Sequence, residues 1–127
     1  MSFWRELLDM ARGTVAATRA QSAIRRARRL QREGRGAEAF LLAVPAFGVL
    51  SELAAKDHAP ASSILAFDAV FLDQLATEVG QPAAARESVE TALRVCEDIA
   101  QSSPRLAPKL QQHMDWYRHR LSDTAGQ

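Results

Sequence analysis

The chain has 127 residues, 47% hydrophobic and 24% charged, a balance that excludes a disordered segment and predicts one domain with a modest core. Its single cysteine, Cys96, excludes an internal disulfide and a cysteine-based zinc cluster. The net charge of +1 hides a split: residues 1–36 carry nine arginines against three acidic residues, a net of +6, and the remainder carries seven basic and twelve acidic residues, a net of −5.

Alanine, leucine and arginine dominate, and β-branched residues are sparse, which favours helix over strand. Four breakers, Gly34-Arg35-Gly36, Asp57-His58-Ala59-Pro60, Gly80-Gln81-Pro82 and Ser102-Ser103-Pro104, divide the chain into five helix-length segments. None shows a two-residue alternation. The opening residues lack a basic leader followed by an apolar stretch, and no run reaches the roughly 20 apolar residues of a membrane span. The expected location is therefore the cytoplasm, with no membrane span.

The first segment, about 2–33, opens on a stripe of Phe3, Trp4, Leu7, Leu8, Ala11 and Val15 at helical spacing, expected to dock on the domain's own core or to meet a partner. Gly13-Thr14 is a point of weakness. Residues 1–18 are read as an N-terminal amphipathic segment. From Arg19 onward, Ala20, Ala23, Ile24, Ala27 and Leu30 gather on one side, and Arg25, Arg28, Arg29, Arg32 and Arg35 on the other. The second segment, 37–56, is apolar nearly all the way round, which predicts burial on several sides. Pro45 within it predicts a kink or a break.

The third segment follows Pro60, with Ser62 or Ser63 as the expected N-cap, and stops at Gly80. The fourth opens with Pro82 in its first turn and carries a core stripe of Ala85, Val89, Ala92, Leu93, Cys96 and Ile99. On its outer face Glu90 and Arg94 are spaced for an ion pair. The fifth, 104–122, places Leu106, Leu110, Tyr117 and Leu121 on one stripe. Residues 123–127 are expected to fray.

The turns Leu30-Gln31-Arg32-Glu33-Gly34 and Leu75-Ala76-Thr77-Glu78-Val79-Gly80 look alike, and each precedes small residues seven apart, Ala39 and Ala46, then Ala85 and Ala92. This pattern resembles the tetratricopeptide repeat. The resemblance spans about residues 20–100 as two units, 20–56 and 62–101, with 104–122 as a capping helix. It implies an all-α fold over 19–122: antiparallel helix pairs stacked as a short right-handed array. Departures from the family pattern are Ala23 and Ala69 at its large aromatic positions, Asp73 at its glycine-like position, and a 46-residue separation of Gly34 and Gly80.

The resemblance implies a concave face lined by Gln21, Arg28, Gln31 and Arg32 in the first unit and by Gln74, Thr77 and Glu78 in the second. Arg25 joins them from the arginine face. The function implied is that of an adaptor or scaffold holding a peptide or helix of a protein partner, acidic in character, in a bacterial type of assembly. The alternative is an anion binder, for nucleic acid or an acidic membrane surface, through the arginine helix. Nucleic acid is the less favoured ligand, because no aromatic stacking residues accompany the arginines. A homodimer is compatible with so apolar a second segment. No catalytic signature and no cofactor motif is present: Asp115 and His119 lack a third metal ligand, and Cys96 sits on a core stripe.

Overall fold

In the computed structural model, which describes residues 2–125, every element is helical: α1 (Ser2–Arg32), α2 (Gly36–Ala55), α3 (Ala59–Glu78), α4 (Pro82–Ser102), a 3-10 turn (Pro104–Leu106) and α5 (Ala107–Ala125). There is no strand among the described residues. The chain divides into two compact units, Met1–Ser62 and Ser63–Gln127.

Three helices end in the same way. At Gly34, Asp57 and Gly80 the backbone turns to φ of 78°, 61° and 77°, and the carbonyls of the last turn are closed by two returning amides. Arg35 N–H donates to Leu30 O at 2.9 Å, His58 to Leu53 O at 3.0 Å and Gln81 to Ala76 O at 2.7 Å. These turns recur at 23-residue intervals. Glycine meets the left-handed geometry without strain at two of them. Aspartate, whose short side chain tolerates it, takes the third.

In the first unit α1 and α2 form an antiparallel hairpin. Arg26 and Leu30 lie beside Arg35–Leu42 at one end, and Asp9–Gly13 lie beside Leu53–His58 at the other. The contact face is built of small residues, which let two helices approach closely. From α1 come Gly13, Ala17, Ala20, Ile24 and Ala27. From α2 come Ala39, Ala43, Ala46, Phe47 and Leu50.

The two helices are unequal. At 1.5 Å per residue, 31 residues of α1 span about 46 Å and 20 residues of α2 about 30 Å. The first eleven or so residues of α1 therefore overrun the end of α2. Helix α1 passes through Gly13-Thr14 unbroken, and α2 passes through Pro45 unbroken. The expectation that α2 is buried on several sides is corrected: one face is covered, while Leu41, Val44 and Val49 are exposed. By length and composition α2 is apolar enough to cross a membrane, with mean hydropathy 1.6, which no run in the sequence was expected to be.

The N-cap of α3 is also a correction. The helix begins at Ala59, and the His58 ring, not Ser62 or Ser63, caps it: Nδ1 accepts the Ala61 N–H at 3.3 Å. Ser62 instead donates its hydroxyl to the His58 carbonyl at 3.1 Å.

The second unit joins most of α3 to α4, the 3-10 turn and α5. Leu110, Met114 and Tyr117 of α5 are buried, as are Ala85, Val89, Ala92, Val95 and Cys96 of α4. The Tyr117 hydroxyl donates to the Ala66 carbonyl of α3 at 2.6 Å, so the largest buried side chain of the unit has its polar end satisfied. Helix α5 continues past Ser122 to Ala125. Glu90 pairs with Arg86, Nε to Oε1 at 2.7 Å, in place of the expected pair with Arg94.

Candidate functional site

The residues expected to hold a partner fall into two groups, one in each unit. On α1, Arg25 and Arg32 are exposed, and Gln21, Arg28 and Gln31 are half-buried. At about 100° per residue, Gln21, Arg25, Arg28 and Arg32 share one stripe, while Gln31 turns toward the azimuth of the buried Ile24 and Ala20. Arg35, counted with this face in the sequence, belongs elsewhere. It grips Glu38 with two guanidinium nitrogens at the start of α2, and this hydrogen bond holds the Glu38 carboxyl below its usual range and raises the Arg35 guanidinium.

In the second unit, Gln74, Thr77 and Glu78 come together in an open hollow of about 360 Å3, whose other walls are Asp73, Trp116 and Arg120. Its floor is an ion pair that periodicity in the sequence could not show. The buried Asp73 carboxylate accepts Arg120 Nε at 3.0 Å. Arg120 also donates to Thr77 Oγ1 at 3.1 Å, and Thr77 Oγ1 donates to the Asp73 carbonyl at 2.8 Å. Thr77 is thus held from both sides and positions the arginine. Trp116 presents a half-exposed ring at the rim. The one sequence signal was negative: Asp73 stands where the resemblance expects a glycine-like residue.

The N-terminal stripe has the outcome least expected from its composition. Phe3, Trp4, Leu7, Leu8, Met10 and Val15 are exposed, Trp4 by 71%. They do not dock on the domain's own core: Phe3 to Leu8 lie on the part of α1 that overruns α2, and Val15, level with the end of α2, is turned away from it. The exposed side of α1 between Phe3 and Val15 lies roughly opposite its buried Gly13–Ala17–Ala20–Ile24 face. Phe3 and Trp4 touch only edge to face, centroids 5.5 Å apart.

Where α1 passes the end of α2, a hollow of about 580 Å3 is lined by Asp9, Met10, Gly13, Leu53, Lys56 and His58, among others. A Cβ on Gly13 would lie 2.8 Å from His58 Cδ2, so the glycine is needed for the capping ring to sit there.

Asp115 and the histidines of α5 are engaged in packing or surface pairs. Asp115 accepts Gln111 Nε2 at 2.8 Å, His119 lies 3.4 Å from Asp123, and His113 packs edge-on to Phe67 at 4.7 Å between centroids. Among the described residues no three His, Cys, Asp or Glu side chains are grouped to hold a metal ion. Burial, and then the Glu97 carboxylate, push the Cys96 thiol up to about 11. Such a thiol is no nucleophile at neutral pH.

No protein-family model, no curated protein and no solved structure matches the chain.

Proposed function

We propose that this chain is an all-helical interaction module that holds a partner protein as an adaptor or scaffold, without catalysis. The observation that carries the reading is the exposed apolar stripe Phe3, Trp4, Leu7, Leu8, Met10 and Val15 on the N-terminal half of α1. A contiguous row of large apolar side chains at helical spacing, set on a preformed helix, marks an interaction surface. The paired helices with buried alanines at 39, 46, 85 and 92 suit a tetratricopeptide-like pairing, in which small residues sit where two helices cross. The hollow around Gln74, Thr77 and Glu78 is a second, smaller contact surface in the same reading.

A photoreactive residue in place of Leu8 tests the proposal in extracts of the source cells, with one in place of the exposed Gln101 on α4 as control. A discrete adduct formed at position 8 and not at 101 is expected. Identical adduct patterns at both positions would remove the basis of the reading. The second reading, binding of anions along α1, draws on the exposed Arg25, Arg26, Arg29 and Arg32. It requires binding to polyanions that weakens steeply with salt and is lost when these arginines become glutamine.

A further inference from the structure

Resting on that reading of α1, we infer that the partner element is an amphipathic helix whose apolar seam is flanked by carboxylates. The outer face of α1 has a heptad register. Trp4, Leu8, Ala11 and Val15 alternate by four, three and four residues, the spacing of a coiled-coil seam, and all four are exposed. Immediately after each position on one side of that seam stand Arg5 and Arg12, and the same register continues through Arg19 and Arg26. All four are exposed, seven residues apart, and therefore form one cationic rail along the seam. The opposite flank, Leu7, Thr14 and Gln21, is uncharged. Glu6 and Asp9 do not interrupt the rail: at about 100° per residue they fall toward the α2 side, where Asp9 lines the hollow with Lys56.

Charge selects the occupant. A second copy of α1 in antiparallel pairing would bring arginine rail against arginine rail. In parallel pairing it would set the arginines against Leu7, Thr14 and Gln21. Neither supplies an acid. The acidic outer face of α4, with Glu87, Glu90, Glu97 and Asp98, carries no large exposed apolar residue, so it cannot fill the seam. A helix with aliphatic residues on its seam and glutamates beside them satisfies both requirements. The rail runs over 21 residues, which at 1.5 Å each is about 32 Å, so the partner's carboxylates extend over three heptads, while its apolar residues face Trp4–Val15 and its seam turns polar against Thr18, Ser22 and Arg25.

The test uses the intact protein and two fluorescent 28-residue helical peptides with the same leucine seam, one with glutamate and one with glutamine at every flanking position. Each is titrated by anisotropy at low salt. The glutamate peptide is expected to bind about 16-fold more tightly, each of four charge pairs contributing about twofold. Replacing Arg5, Arg12, Arg19 and Arg26 by Glu should abolish that preference, and Leu8→Asp should weaken both peptides. These positions are exposed, so unchanged circular dichroism verifies folding. Equal binding of the two peptides overturns the acidic inference and leaves the interaction module standing. Binding of neither peptide overturns the inference. Binding to phosphatidylserine vesicles alone, with neither peptide bound, assigns the face to a membrane and overturns both the inference and the partner-protein reading. A dimer by light scattering that Leu8→Asp converts to a monomer assigns it to a second copy and also overturns the inference.

Discussion

Breaking the Asp73–Arg120 pair from its two ends should have unequal consequences. The Asp73 side chain is 4% exposed and that of Arg120 30%. Arg120→Met leaves a largely buried carboxylate without its charged partner. Removing one partner of a buried pair costs about 3–5 kcal/mol, and the partial exposure of Arg120 places this variant at the lower end, about 3 kcal/mol. Asp73→Asn keeps an acceptor oxygen for Arg120, whose head already reaches solvent, so about 1 kcal/mol is expected. Replacing both, as Asp73→Leu with Arg120→Met, removes the charges together and should stay within about 1 kcal/mol of the parent. Trp116 lines the hollow beside Arg120. In a Trp4→Phe background it is the sole tryptophan, since the chain has two. Urea unfolding followed by its fluorescence should give a lower midpoint with unchanged slope for Arg120→Met, and Tm should fall by about 12 °C at about 4 °C per kcal/mol. A cost for Asp73→Asn equal to or above that of Arg120→Met would refute the reasoning.

Other outcomes follow from single contacts. Gly13→Ala gains about 1 kcal/mol of helix propensity but drives the His58 ring from its cap, a loss of about 1 kcal/mol, so the substitution should be near neutral. In a His58→Ala background the same change should stabilise by about 1 kcal/mol, a coupling that paired thermal melts would detect or exclude. Asp57→Gly, at φ of 61°, should raise stability by roughly 0.5–1 kcal/mol through relief of the left-handed turn. A lower Tm would contradict this.

Burial raises the Cys96 thiol from 9.0 to about 11, and burial, ahead of the charges of Cys96, Asp68 and Asp73, raises the Tyr117 phenol further. The folded state therefore holds the thiol proton that the unfolded chain releases. That contribution is full below pH 9 and is lost as pH rises to about 11, at about 1.4 kcal/mol per pH unit. Cys96→Ala should flatten the alkaline loss of stability over that window, and identical pH slopes would dismiss the thiol as its source. The native thiol should also resist disulfide reagents at pH 8 until the protein unfolds.

Helix identity, the glycine-ended turns at Gly34 and Gly80 and the arginine run are local matters. Glycine at 34 and 80, Pro82 in the first turn of α4 and the small-residue spacing of 39–46 and 85–92 express backbone geometry that each residue imposes on its neighbours. They were legible in the sequence for that reason. The fates of apolar stripes were not. Phe3–Val15 and Ala20–Leu30 have the same periodicity, yet one is exposed and the other largely covered, because α2 ends short of the first residues of α1 and packs on the side of α1 opposite the first stripe. The same holds for Leu41, Val44 and Val49 on α2. The Asp73–Arg120 pair joins residues 47 positions apart, and His58 became a cap because Gly13 leaves room for its ring. Periodicity states that a face is apolar. Only tertiary packing states whether anything lies against it, because burial is a property of two surfaces and a sequence segment describes one.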